Sequence, residues 1–208
     1  MDQKVKIAAA APIQVGGSLF TGEQLALIGS IAGQDVLIEM TPFKQLYIEV
    51  AADRKAEIEE RLRNAGLEIY PQGAITKNVY ACNFCKGAKE AGLETARRLN
   101  KAIAGIETPT PLKVGYAGCA LGTSEPLLKD IGIIKMKDRF NIYLGGEPKG
   151  IKAGLGELLI SDIDEEQMIP FVLAIIKFYI ANAKGKESFS KFVKRLGIEK
   201  LQSIITKI

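Results

Sequence analysis

Apolar and polar positions change rhythm along this chain, and each rhythm predicts an element. Residues 4–10 pass from lysine–valine alternation into a small apolar run, the pattern of a strand. Residues 12–17 supply turn chemistry. Thr21-Gly-Glu-Gln24 then sets a hydroxyl three residues before a glutamine, so that each side chain can satisfy the other's backbone N–H; this capping box predicts a helix through Ile31. Residues 36–41 and 46–50 are β-rich runs on either side of Pro42 and predict neighbouring strands. Residues 52–65 are helical in composition, with Ile58 and Leu62 on one face. Gly66 sits where a left-handed helix end favours glycine. Residues 67–70 close the series as a strand.

Strand, helix, strand, strand, helix, strand is the ferredoxin-like split order, and residues 71–73 mark a boundary after it. Two domains are therefore expected, 1–72 and 73–208. In the second, residues 74–85 lead into a helix predicted over 87–104. The breaker cluster Thr108-Pro-Thr-Pro111 precedes a strand at 112–116 that ends in Gly118-Cys119. Strand runs follow at 131–136 and 140–144, the latter closing on Gly145-Gly146. The last quarter is helical. Asp164-Glu-Glu-Gln167 is a second capping box, and helical patterns run to Ala183, over 188–196 and over 198–205. Pro170 lies inside the first of these and is expected to bend it or delay its regular start. The fold class expected is α+β.

Composition narrows the chemistry. The 208 residues contain 28 Lys plus Arg, 24 Asp plus Glu and no histidine, a net charge of +4. The mild positive excess favours anionic ligands without marking a nucleic-acid binder. Lack of histidine removes Ser-His-Asp and Cys-His catalysis, His-ligated metals and a histidine general base. The longest apolar segment, 168–176, is far short of the ~20 residues that cross a bilayer, and the apolar stretch at 7–11 is short for a secretory signal. A cytoplasmic protein with no membrane partner is expected, its odd cysteine count suiting a reducing compartment.

Those cysteines carry the strongest signal. Cys82-Asn-Phe-Cys85 is a CxxC at the mouth of the helix predicted from residue 87, and Cys119 lies at a glycine-flanked strand end. Three readings compete. Free cysteines pack as small hydrophobes. A dithiol at a helix N-terminus is a redox pair, because the positive helix end stabilises the thiolate. Three soft thiolates hold a metal or a cluster, and a closed zinc site would want a fourth ligand. Separately, Gly145-Gly-Glu-Pro-Lys149-Gly-Ile-Lys152 offers backbone amides and two ammonium groups to a carboxylate or oxyanion, and Lys44 and Lys77 lie beside predicted strands that could join it. Any one of these lysines is more often simply solvated.

The order of segments resembles the sirohaem and 4Fe–4S nitrite/sulfite reductase family in a short, single-module form. The resemblance runs from Ile13-Gln-Val-Gly-Gly and Ile38-Glu-Met-Thr-Pro-Phe-Lys-Gln-Leu-Tyr-Ile48, through Lys77-Asn-Val-Tyr-Ala-Cys82 and Gly118-Cys-Ala-Leu-Gly-Thr123-Ser-Glu-Pro126. It continues to Phe140-Asn-Ile-Tyr-Leu-Gly-Gly146 and Glu187-Ser-Phe-Ser-Lys-Phe-Val-Lys-Arg-Leu-Gly197. It implies a ferredoxin-like half-domain followed by a sirohaem/4Fe–4S-type α/β domain. It further implies a 4Fe–4S cluster on Cys82, Cys85 and Cys119, sirohaem as a second cofactor, nitrite or sulfite as substrate, and an electron-donor protein as partner. Lys44 and Lys77 would act on the anion, with Lys149, Lys152, Gly145 and Gly146 on the cofactor. Two features depart from the family pattern. Cys82 and Cys85 are more closely spaced than the family's first pair. Thr123 stands where the family has the cysteine that joins cluster to sirohaem, and a neutral hydroxyl is a poor replacement for a soft anionic thiolate. An accessory cluster carrier without sirohaem is therefore the alternative, and a zinc-stabilised module of the same fold a third. A homodimer is expected through the first domain, with Leu46, Ile48 or their strand neighbours in or near the contact.

Overall fold

The computed structural model describes residues 3–151 and 153–205. They form two compact units that divide between Gln72 and Gly73. The first holds β1 (Lys4–Ala10), α1 (Gly22–Ala32), β2 (Glu39–Met40), β3 (Gln45–Ala51), α2 (Lys55–Asn64) and β4 (Glu68–Tyr70). Its antiparallel sheet has the order β2-β3-β1-β4. Period-two alternation puts Ile7 and Ala9 of β1 beside Ile48 and Leu46 of β3, their direct cross-strand partners. Ile28 and Ala32 of α1 and Ile58 and Leu62 of α2 complete this core. The capping box forms as the spacing predicts: Gln24 N donates to Thr21 Oγ1 at 3.1 Å and Thr21 N to Gln24 Oε1 at 3.0 Å. The Gln24 amide also donates to Ala65 O at 2.9 Å, fastening the start of α1 to the end of α2.

Two expectations in this unit are corrected. The strand predicted over 36–41 shrinks to β2, because only Glu39 and Met40 find partners on β3 while Leu37 stands 93% exposed. Leu46 and Ile48 are not at a surface contact. At 6% and 0% exposure they face their own unit's core.

The second unit contains β5 (Tyr80–Ala81), α3 (Leu93–Ile103), β6 (Val114–Ala117), β7 (Ile131–Met136), β8 (Arg139–Leu144) and β9 (Glu157–Ile163), followed by α4 (Glu165–Asn182), α5 (Phe189–Leu196) and α6 (Ile198–Ile205). Its sheet runs β5-β6-β7-β8-β9, parallel across the first three strands and antiparallel beyond. Parallel pairing brings the C-terminal ends of β5 and β6 side by side, and both strands deliver a cysteine there. All four residues of β6 are buried, as expected for a strand covered on both faces. Tyr179 of α4 packs edge-on against Phe189 and Phe192 of α5, with ring centroids 5.0 and 5.1 Å away.

The helix predicted from residue 87 begins only at Leu93. Gly92 adopts φ +70°, and the Tyr116 hydroxyl donates to the carbonyls of Ala91 and Gly92 at 3.1 and 3.2 Å. That long-range contact holds 87–92 as turns, so the CxxC does not sit at a helix N-terminus and the helix-end argument for a low-pKa dithiol falls. Strand β9 went unpredicted because its ladder with β8 slips at Phe140/Ile142 and Ile142/Tyr143, which breaks the period-two pattern. Pro170 neither delays nor interrupts α4, whose capping box at Asp164 and Gln167 is formed.

Candidate iron–sulfur site

The site grows from the ends of β5 and β6. Cys82 N donates to Tyr116 O at 3.0 Å, extending the parallel ladder by one residue. Its Sγ accepts the Gly118 amide at 3.3 Å, so the residue preceding Cys119 touches the first cysteine directly. The chain then reverses at Phe84. This residue holds φ +52°, a region that a bulky side chain rarely occupies, and it is 1% exposed and stacked on Tyr116 at 6.2 Å between ring centroids. Such strain persists only where surrounding packing over-determines it. With Phe84 driven inward, Cys85 turns outward and is exposed. Cys82 is buried and Cys119 half-buried.

Gly118 allows this closeness. A Cβ there would lie 2.5 Å from Ala91 O and 2.6 Å from Ala91 Cβ. Tyr116, which backs the site, has its phenol pKa pushed far up, first by burial and then by the charges of Cys82 and Glu165.

Among the described residues no three His, Cys, Asp or Glu side chains converge tightly enough to hold a single metal ion. The donor set fits a cluster in kind: three thiols at one end of one sheet, one of them already accepting an amide hydrogen bond. Thr123 lies exposed in the turn after Cys119, where Glu125 N donates to Gly122 O at 2.7 Å and the Ser124 hydroxyl ties the loop to Tyr116 O at 2.7 Å.

The other residues singled out from sequence are more dispersed. Lys44 belongs to the first unit, where it takes the left-handed position (φ +58°) of the loop between β2 and β3. Lys77 is 5% exposed, its Nζ donates to Gly73 O at 3.1 Å, and burial lowers its pKa. In the glycine-rich segment the Gly145 amide donates to Asp130 O at 2.8 Å and the Glu147 amide to Gly154 O at 3.0 Å, so both point into the fold. Gly146 packs on carbonyls, its missing Cβ leaving 2.4 Å to Leu127 O. Lys149 is exposed, and Lys152 lies outside the described residues. Nearby Asp130 is 7% exposed and accepts Lys113 N at 2.8 Å.

Sequence reasoning missed one feature. A cleft of about 1010 Å³ has Cys119 in its wall and Lys86, Lys89, Lys135 and Lys137 around it. Lys86, next to Cys85, was the available signal. Lys135 sits in an apolar strand run and gave none.

The nitrite and sulphite reductase 4Fe-4S domain family matches residues 74–207, and this chain belongs to it. Its cofactor class is therefore that of an iron–sulfur redox family. Among known proteins, the chain is 29% identical to a cobalt-factor III methyltransferase of Priestia megaterium over 177 residues, covering 85% of this chain and 33% of that protein. It is also 29% identical to the nitrite reductase (NADH) large subunit of Escherichia coli over 211 residues, covering 98% of this chain and 25% of that protein. The chain thus spans a third or less of the length of these relatives. Among solved structures, dissimilatory sulfite reductase I superposes with a TM-score of 0.77 at 14% identity, over 98% of this chain and 69% of that one, a likeness of fold. No helix among the described residues is long and apolar enough to cross a membrane.

Proposed function

We propose that this chain holds a 4Fe–4S cluster through Cys82, Cys85 and Cys119 and works as a redox protein. The observation that carries the reading is the meeting of Cys82 and Gly118-Cys119 at the ends of two parallel strands, with an amide donated to the Cys82 sulfur. A bound cluster supplies storage and transfer of single electrons. Around it, this chain's own residues position the thiolates: Phe84 turns the CxxC, Gly118 admits the close approach, and Tyr116 braces both from below. In the finer form of this reading the chain also binds sirohaem, with Thr123, Gly145, Gly146, Lys149 and Lys152 toward it, and reduces nitrite or sulfite, with Lys44 and Lys77 drawing the anion.

One observation favours the narrower alternative, a cluster carrier without substrate chemistry. The module recurs in a relative whose name is that of a cobalt-factor III methyltransferase, so it is not tied to nitrite or sulfite reduction. The visible spectrum of the anaerobically purified chain, with iron and sulfide analysis, decides among these. A broad shoulder with about four irons per chain supports the carrier, and an added intense Soret-type band supports the reductase. A colourless chain that takes up no iron and sulfide on reconstitution overturns both. A homodimer through the first unit remains part of the proposal, its contact at the strand neighbours of Leu46 and Ile48, on the edge around the exposed Met40. A concentration-independent monomer mass in light scattering removes it.

A further inference from the structure

We infer that Lys129 is a positioning residue for the cluster site, an inference that rests on the cluster reading above. The segment after Cys119 folds back over the sheet instead of leaving it. The Ser124 hydroxyl donates to Tyr116 O at 2.7 Å, Glu125 turns the chain at φ +52°, and Pro126 opens a single helical turn over Pro126–Leu128. Two glycines make room for it. Gly115 of β6 and Gly132 of β7 are direct cross-strand partners, and a Cβ on them would lie 3.0 Å from Pro126 Cα and 2.4 Å from Pro126 O, respectively. Lys129 closes the segment. Its side chain crosses the space over Gly115, where a Cβ would lie 2.8 Å from Lys129 Cγ. Its Nζ then stands 4.6 Å from the centroid of the Tyr80 ring and 3.4 Å from Glu125 Oε2.

The position of Tyr80 gives this contact its meaning. Tyr80 pairs with Gly115, and Cys82 continues the same ladder, so alternation puts Tyr80 and Cys82 on the face that Lys129 covers. Glu125 belongs to the segment that begins at Cys119. One ammonium therefore joins the strand that delivers Cys82 to the segment that follows Cys119, by attraction to an aromatic face on one side and a carboxylate on the other. It also carries charge. The Lys129 side chain is 10% exposed and that of Glu125 67%, so water screens the carboxylate more than the ammonium, and a positive field remains on this face. Three thiolates holding a cluster bring negative charge to the same end of the sheet. Net charge around a cluster is one of the quantities that set its potential.

The test compares Lys129→Met, which keeps the length and removes the charge, with Lys129→Arg, which keeps a cation able to stack on Tyr80 and pair with Glu125. In the iron-free full chain the buried Cys82 is labelled with iodoacetamide and the site located by tandem mass spectrometry. Labelling should be about fivefold faster or more in Lys129→Met and close to wild type in Lys129→Arg. In the reconstituted chain, Lys129→Met should shift the reduction potential downwards, because a cation that favours the added electron is gone, and Lys129→Arg should restore it. Lys177→Met makes the same charge change on an exposed residue of α4 and should match wild type in both measurements. Wild-type labelling in Lys129→Met, labelling in Lys129→Arg as fast as in Lys129→Met, an equal effect of Lys177→Met, or an unmoved potential in loaded Lys129→Met overturns the inference. If Lys129→Met does not fold, Glu125→Gln breaks the same link from its exposed end, and faster Cys82 labelling is expected there; wild-type labelling overturns the inference. Labelling needs no cluster, so the two readings fail separately. A chain that takes up no iron yet shows the labelling pattern keeps the Lys129 link while the cluster reading falls, and a loaded chain without that pattern keeps only the cluster.

Discussion

The two units of this chain reach stability by different means. In the first, side chains do the packing: Ile7, Ile48, Ile28, Ile58 and Leu62 meet from two strands and two helices, and the periods of the sequence match those of the elements. Around the cysteines of the second, backbone meets backbone. Gly118 lies against Ala91, with no room for a Cβ of its own. A core made of side chains tolerates adjustment through rotamers. A site made of closely apposed main chain is positioned more finely and is correspondingly brittle.

The sharpest test of that contrast is removal of sulfur. Cys85→Ser alters an exposed side chain and should leave unfolding free energy unchanged within about 0.5 kcal/mol while abolishing iron uptake on reconstitution. Cys82→Ser should abolish uptake and also cost about 1 kcal/mol, because a buried sulfur that accepts the Gly118 amide is replaced by a smaller, more strongly hydrated hydroxyl. Retention of full iron and sulfide by either variant removes that residue from the site.

The buried carboxyl of Asp130 gives the next largest effect and is confined to the second unit. Burial, the leading cause, raises its pKa from 3.8 to about 6, partly offset by the Lys113 amide. A raised folded-state pKa means that the folded form holds the proton more tightly than the unfolded form. This contribution to stability is therefore complete below about pH 4 and is lost as pH rises through about 6, a change of roughly 3 kcal/mol. Asp130→Asn keeps an acceptor for Lys113 N and should flatten that part of the profile, as read from urea midpoints between pH 4 and 7. An unchanged profile would place the titration elsewhere.

These effects also explain what could be read beforehand. The first unit was legible because its signals are local: the Thr21 box, Gly66 at a helix end and the alternation in β1 and β3 each lie within a few residues of what they specify. The cysteines were legible by residue type and by family resemblance. The start of α3 was not, since Ala88-Lys-Glu-Ala91 reads as helix and only the distant Tyr116 hydroxyl on Ala91 O and Gly92 O holds it otherwise. Lys135 escaped for the same kind of reason. Its place in the cleft comes from the segment folded over it and not from its own strand.

One substitution made in both units separates the two modes of construction. Gly29→Ala falls on an exposed turn of α1 with nothing within 4 Å of the new methyl, and should stabilise by about 0.5–1 kcal/mol through helix propensity. Gly118→Ala forces the Ala91 backbone away and should cost about 1–3 kcal/mol. It should also weaken iron retention, because the Gly118 amide moves with it off Cys82. Denaturant unfolding gives both signs, and iron analysis the coupling. If Gly118→Ala were neutral in both, the close backbone approach would not be what positions the site.

The smallest effect belongs to Lys44 and bears on whether the first unit serves the chemistry at all. Residues 42–44 form a three-residue hairpin loop: Thr41 N donates to Gln45 O at 2.8 Å, Lys44 N to Thr41 O at 3.1 Å, and the Thr41 hydroxyl accepts the amides of Phe43 and Gln45. Such loops place their third residue in the left-handed region, and glycine is the residue that adopts it without steric cost. Lys44 holds φ +58° there. Lys44→Gly should therefore be neutral or stabilise by up to about 0.5 kcal/mol, the relieved strain being partly offset by the greater freedom of glycine in the unfolded chain. If Lys44 draws the anion in the reductase form of the proposal, this variant should raise the KM for nitrite or sulfite of the loaded chain with stability intact. An unchanged KM with unchanged stability would remove Lys44 from the chemistry and confine it to the second unit.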